Sequence, residues 1–269
     1  MTATSLQSGR WLRVIVGFVV GVFVLLPLSM TLEYTFRGIG GHTLSHWVGI
    51  FDPANSSKYS PLWAGLTNSL ILAVLTVIIQ LVLVAPTMIL INLRFQRAKR
   101  IFEFIALLPI TIPAIVLVVG LAPIYQLIGR SVGTGAWTLC LIYGVLVLPF
   151  SFRSIQASID AINMNTLAEA ARSLGASWLN VIVRVLAPNL RTGLLAGSLI
   201  SVAVVLGEYT IASLLNRQNL QTALIVVNQT DAYIAVIFSL LALLFCFALL
   251  LLIGRLGRVG AARKELSNG

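Results

Sequence analysis

Charge is scarce in this sequence: Asp, Glu, Lys and Arg make up 10% of its 269 residues, and only eight residues are acidic. A soluble helical protein needs a charged outer face on each helix, whereas several windows here run for about 20 residues without a charge, enough to cross about 30 Å of hydrocarbon. The two cysteines, Cys140 and Cys246, sit inside apolar segments, which excludes a disulfide framework and a cysteine metal cluster. The only histidines, His42 and His46, lie outside those segments. An intramembrane enzyme would need a nucleophile and base, or metal ligands, at membrane depth, and no such pair is visible. "HTLSH" sets the two histidines at i, i+4, but no glutamate follows the first and no third ligand is in view, so no metal is expected. None of the three lysines follows a glycine, so there is no GxxxxGK[ST] phosphate loop.

What is abundant is apolar. Hydrophobic residues reach 58% and mean hydropathy is +0.99, beyond the roughly 45 to 50% of a soluble domain. Six apolar runs are long enough to span a bilayer: 14–32, 66–93, 103–129, 135–152, 190–215 and 232–254. Alternating ten-residue segments are absent, so the expectation is an all-α membrane protein with six transmembrane helices in a single domain over 1–269. The first run is too long for a signal peptide, and "LSMTLEY" offers no small-x-small cleavage site, so it reads as a retained span. The net charge of +10 follows topology rather than nucleic-acid binding. With both termini in the cytoplasm, 14 of the 18 basic residues fall inside, and only Arg37, Lys58, Arg130 and Arg217 fall outside. The longest polar connections, 33–65 and 153–189, are too short for a soluble domain. In the first of them "GGHTLSHWVGIFDP" predicts a short amphipathic helix with Leu44, Trp47 and Phe51 at the membrane interface.

Two spans carry candidate pathway residues. The third contains "LLPITIPAIVLVVGLAP", where Pro109 and Pro113 free carbonyls that could face a water-filled path or simply mark a packing kink. In the fifth, Gly193, Gly197 and Ser201 recur every four residues as a ridge that lets another helix approach closely. Glu208 follows seven residues later, near the same face. A carboxylate at this depth faces a cavity, a partner charge or a neighbouring helix, so it reads either as pathway lining or as a structural hydrogen bond.

One polar island interrupts the apolar runs: "NTLAEAARSLGASW". It reads as two short helices and a turn. Thr166 caps the first with Glu169 in capping-box position, Gly175 supplies the left-handed residue, and Ser177 caps the second, which runs towards Pro188. Ala170, Ala171 and Ala176 are small enough to fit a groove of another protein, and Arg172 and Arg184 supply charge at the rim.

"EAARSLGASWLNVIVRVLAP" resembles the EAA loop of permease subunits of bacterial binding-protein-dependent ABC importers. That pattern is EAA, three residues, Gly, nine residues, a hydrophobic residue, one residue, then Leu-Pro. Glu169, Ala170, Ala171, Gly175, Val185 and Pro188 match it, and Ala187 stands where Leu is usual. The six-span layout and the "NSL" of Asn68 to Leu70 extend the likeness over roughly residues 60–255. The resemblance implies the type I importer permease fold in a bacterial cytoplasmic membrane, with a coupling helix docking on an ATPase subunit through Glu169, Ala170, Ala171, Arg172, Gly175 and Ala176. It further implies two cytoplasmic ATPase subunits that carry ATP and Mg, an extracytoplasmic solute-binding protein, and a second permease subunit, expected to be a different chain. No cofactor, ATPase site or nucleic acid is expected for this chain. The overall pattern is similar to polyamine permeases of the spermidine and putrescine class. "GEY" at 207–209 is equally like the "GEF" of iron, thiamine and phosphonate permeases, and "SLGA" fits the sulfate branch too. For a polyamine, Glu208, Asp231, Tyr125, Tyr209 and Tyr233 are the candidate contacts, with Ser201, Pro109 and Pro113 along the same path. A secondary transporter working alone would show inverted repeats with more charge at membrane depth.

Overall fold

A computed structural model describes residues 4–267 apart from Ile39, with side chains over 11–251. Among the described residues, five helical stretches are long and apolar enough to cross a membrane: Trp11–Tyr34, Pro53–Arg94, Ala114–Ser131, Ala136–Asp160 and Ala232–Leu251. A bent pair, Trp178–Asn189 with Arg191–Gly207, makes a sixth if counted as one span, its halves meeting at 77°. By internal contact the chain forms two units, Met1–Ser60 with Leu224–Leu241, and Pro61–Ala223 with Ala242–Gly269.

In the first unit, α1 (Thr4–Tyr34) leads to a two-stranded antiparallel hairpin, β1 (Arg37–Gly38) and β2 (Gly41–His42), with Arg37 opposite His42. Gly40 and Gly41 take the positive φ angles, +91° and +143°, that this turn requires. The expected amphipathic helix forms as α2 (Ser45–Gly49), with a different outer face. Leu44, Val48 and Phe51 are exposed, whereas Trp47 turns inward, donating its indole N–H to Thr35 Oγ1 at 3.1 Å and stacking on Phe36.

The second unit is built on α3 (Ser56–Ile79) from Pro61 onward, α4 (Ala85–Arg94), α5 (Lys99–Thr111), α6 (Ala114–Ser131) and α7 (Cys140–Asp160). After them come α8 (Met164–Ser173), α9 (Trp178–Asn180), α10 (Ala187–Asn189), α11 (Arg191–Gly207) and α12 (Thr210–Leu214), followed by α13 (Leu220–Asn228) and α14 (Ala232–Ser267), of which Leu224–Leu241 belong to the first unit. Two wide π turns, Gln80–Val84 and Val181–Leu186, each end just before an Ala-Pro pair. Pro86 and Pro188 donate no N–H, and their rings press on the carbonyl four residues back, so a widened turn relieves the clash.

Proline also divides the third apolar run. The continuous helix expected over 103–129 stops at Thr111 and restarts at Ala114, because Pro113 forces Ile112 into extended backbone (φ −97°, ψ 120°). The fifth run is likewise shorter than the expected 190–215: α11 ends at Gly207, and Glu208 is extended (φ −82°, ψ 122°).

Side chains of the second unit pack as two apolar clusters. One gathers Leu72, Tyr143 and Val205; the other gathers Met88, Ile155 and Leu190. At the level between them, at the π turn after α3 and along α7 and α11, lie the buried polar residues Gln80, Ser151 and Ser201. The small-residue ridge does receive a helix, and that helix is this chain's own α7. A Cβ on Gly193 would stand 2.6 Å from the Ser154 carbonyl, and Ser154 Oγ donates to Gly193 O at 3.1 Å.

Candidate functional site

The polar island folds as a helix-turn-helix fused to the ends of the membrane helices. Its first helix starts three residues earlier than expected. Asn163, not Thr166, is the N-cap, its Oδ1 accepting from Thr166 N at 3.3 Å, so Glu169 forms no capping box. Chain reversal at Ile162 fixes this start, since Met164 N already bonds Ile162 O there. Gly175 ends the helix with φ +81°, and the turn is closed by Gly175 N to Arg172 O (3.0 Å) and Ala176 N to Ala171 O (3.1 Å). Ser177 caps the next helix, accepting from Asn180 N at 3.4 Å.

This motif has two unlike sides. Met164, Ala168 and Val181 are buried in the same cluster as Met88, Ile155 and Ile159, so the motif is anchored by packing to α4 and α7. Facing away are Glu169, Ala170 and Arg172, all exposed, with Ala171 and Ala176 half-buried beside them. Leu174 at the turn is 89% exposed and Leu179 is 71% exposed. Sequence reasoning passed over both leucines, although "SLG" places a hydrophobic side chain next to an obligatory turn glycine.

Arg172 works inside the motif as well as at its rim. Its guanidinium donates to Ala176 O at 2.6 Å and lies 5.4 Å from the centroid of the Trp178 ring. Arg94, the last residue of α4, lies 4.5 Å from the same ring. Two cations on one indole tie the turn to the end of the second apolar run.

Glu208 lies at the opposite end of α11 from the helix-turn-helix, and its carboxylate is fully engaged. Oε1 accepts from Ile211 N (2.8 Å), and Oε2 accepts from the Tyr143 hydroxyl (2.8 Å) and Ala212 N (3.4 Å). The charge therefore sits at the amino end of α12, where free N–H groups favour an anion. Asn219 Nδ2 holds the Glu208 carbonyl at 2.6 Å, and Asn219 Oδ1 caps α13 through Thr222 N. "NSL" fastens the same turn: Asn68 Nδ2 donates to Gln218 O, and Ser69 Oγ accepts from Leu220 N.

The remaining expected pathway residues are dispersed. Ser201 is buried in the polar level, donating to Gln80 Oε1 at 2.6 Å, while Gln80 Nε2 and Thr76 Oγ1 have no hydrogen-bond partner among the described residues. Ser201 and Glu208 thus belong to separate networks. Tyr125 is buried, its hydroxyl donating to Thr138 O and accepting from Ile142 N, both at 3.2 Å. Tyr209 is 40% exposed beside Glu208. Pro109 faces the interior of its helix packing, and Pro113 is exposed at the break.

In the first unit, Asp231 Oδ2 accepts from Lys58 Nζ and from the Tyr59 hydroxyl, both at 2.9 Å. Burial raises the Asp231 carboxyl, but the bonds from Lys58 and Tyr59 outweigh it and leave it below the ordinary carboxylate value. Tyr233 stacks between Tyr34 (4.9 Å) and His46 (4.1 Å), and His42 pairs with Glu33 at 3.3 Å.

Comparison with known proteins adds one match. The family model described as binding-protein-dependent transport system inner membrane component covers residues 61–259, starting where the second unit starts. A search of curated proteins returned no match.

Proposed function

Because this chain belongs to the binding-protein-dependent transport system inner membrane component family, and is thus a permease subunit of an ABC importer, we propose that residues 163–178 are its coupling element. Here they dock in a cleft of a cytoplasmic ATPase subunit. The observation that carries this reading is the two-sided helix-turn-helix: Met164, Ala168 and Val181 are sunk into the membrane-helix ends, while Glu169, Ala170 and Leu174 are offered outward. Packed interiors transmit displacement rather than absorbing it, so motion of the docked face reaches α4 and α7 through that cluster.

The transport cycle is alternating access, with two permease subunits rocking as rigid bodies while closure of an ATPase pair biases the equilibrium. ATP and Mg bind on the ATPase subunits, both termini of this chain are cytoplasmic, and the second permease is a different chain. An extracytoplasmic binding protein delivers the solute. With iron, thiamine, phosphonate or sulfate as the alternatives, the sequence likeness names a polyamine such as spermidine or putrescine as the solute. Of the carboxylates it would use, Glu208 is engaged as a helix cap and Asp231 is paired with Lys58. Stimulation of ATPase activity by the loaded binding protein, compared for spermidine, iron, thiamine, sulfate and a phosphonate, decides among the solutes.

A mild-detergent pull-down of the full chain tests the coupling element. An ATPase subunit and a second six-span permease are expected to co-purify, with the ATPase lost on combined mutation of Glu169 and Gly175. Gly175→Pro cannot adopt φ +81° and is expected to abolish solute-stimulated ATPase activity while membrane insertion is normal. Recovery of this chain without any ATPase would overturn the assignment of residues 163–178 as the coupling element.

A further inference from the structure

At the end of α7 remote from the coupling element, the last turns of α6 and the turn after α12 enclose an open cleft of about 500 Å³. Its lining includes Arg130, Arg217, Gln126, Thr134 and Asn216, and no carboxylate. A cleft of this size holds a small ligand. Neither arginine has an ion-pair partner among the described residues. The Arg217 Nε is buried and makes no hydrogen bond among the described residues, a state that costs free energy.

Backbone geometry points the same way. Asn216 sits in the left-handed region (φ +50°), and Arg217 N closes the turn on Ala212 O at 2.8 Å, so Arg217 is carried by a fixed turn. Its guanidinium reaches across to α6, with a terminal nitrogen 3.8 Å from where a Cβ on Gly129 would be. Charge distribution sharpens the point. Four of the 18 basic residues fall on the outer side of this topology, where arginine is depleted, and two of those four line this one cleft.

We propose that the cleft formed by Arg130, Arg217, Gln126, Thr134 and Asn216 binds a small oxyanion of the phosphate, phosphonate or sulfate class, and, resting on the importer reading above, that the transported solute carries such a group. Two planar guanidinium forks with side-chain amides and a hydroxyl beside them match a tetrahedral oxyanion, which takes several charge-assisted hydrogen bonds at once. A polycation would be repelled by the same pair. An oxyanion can reach this cleft either free or as the headgroup of an anionic phospholipid, and the test separates the two.

The full chain is reconstituted in nanodiscs of phosphatidylcholine alone and titrated calorimetrically with inorganic phosphate, sulfate, methylphosphonate and spermidine. In parallel, the ratio of phosphatidylglycerol to phosphatidylcholine retained by the chain is measured after purification from a mixed membrane. Saturable binding of an inorganic oxyanion, weakened about tenfold or more in Arg130→Gln and in Arg217→Gln as expected for one lost charge-assisted bond, supports the site with a free oxyanion as ligand. Enrichment of phosphatidylglycerol that both variants abolish, without binding of free oxyanion, supports the site with a lipid headgroup as its source and overturns the solute clause. Neither result, binding that both variants leave unchanged, or binding of spermidine alone overturns the proposal. Arg130 is exposed, so its variant is expected to fold. Arg217→Lys, which keeps a charge and loses the fork, guards against misfolding at the more buried site and is expected to bind at intermediate strength. The ATPase pull-down on the native chain keeps the two readings apart: a chain that recovers its ATPase but binds no oxyanion sinks this proposal alone, and a chain that binds oxyanion but recovers no ATPase sinks the coupling reading alone.

Discussion

Glu208 shows what one carboxylate does where a helix stops inside an apolar run. Once α11 ends at Gly207, the N–H groups of Ile211 and Ala212 need an acceptor, and Glu208 supplies it while taking the Tyr143 hydroxyl as well. Loss of such a cap costs about 1 kcal/mol and up to about 2. Glu208→Ala is therefore expected to lower the thermal midpoint of the detergent-solubilised chain, and Tyr143→Phe to lower it less. The double variant should lose less than the sum of the two, because both singles remove the same bond. Strict additivity in that cycle would show that the Tyr143–Glu208 bond contributes nothing. Asp231 offers a second test at this scale, by acid. Its folded carboxyl titrates below the ordinary value near 3.9, so its contribution is complete above that value and is lost as pH falls through the folded one. The stability difference between the native chain and Asp231→Asn should be constant from pH 7 to about pH 5 and shrink below about pH 4. A difference that grows in acid would mean that the Lys58–Asp231 pair has the opposite sign.

Among the elements, the helix-turn-helix is the one whose proposed coupling role depends on its ties to the membrane-helix ends. Trp178 under Arg94 and Arg172 is a side-chain tie between the turn at Gly175 and α4. Cation–π pairs of this exposure contribute roughly 0.5–1 kcal/mol each, small against unfolding yet large enough to loosen a linkage. Trp178→Ala is expected to assemble with its ATPase and hydrolyse ATP while moving less solute per ATP, and Trp178→Phe to recover part of that ratio. Equal loss of hydrolysis and transport would assign Trp178 to assembly alone. Much of this element was legible beforehand: Gly175 and Ser177 act through local backbone chemistry, so their roles can be read from neighbouring residues alone. Thr166 was misplaced because Asn163 is an equally good cap and the chain reversal before it decides which is used. Pro113 was visible as a disruption, but an all-round apolar helix has no periodicity from which a full break could be told from a kink. The partner of Glu208, Tyr143, sits on another helix, and no local pattern indicates it. The same holds for Arg130 and Arg217, which meet only through the packing of α12 on α6.

At the scale of the whole molecule, six apolar runs, a ridge of small residues and one polar island were enough to indicate a helical permease, and the family match bears that out. What only the structure reveals is that the ridge is filled from within, by Ser154 and Ser158 of α7 against Gly193, and that the island is continuous with the core beneath it. A continuous core implies that helix-turn-helix and membrane-helix ends move together, since packed interiors are bistable rather than compliant. Spin labels at Leu179 and at Ile101 of α5, both exposed, report on this directly. Their separation is expected to be the same in the nucleotide-free complex and in the complex trapped with ATP and vanadate, while labels placed on the two permease subunits change distance. A shift of a helical turn, about 5 Å, between Leu179 and Ile101 would show the loop swinging on its own hinge. The buried face of Met164, Ala168 and Val181 would then be a resting contact rather than the route by which ATP binding reaches the membrane.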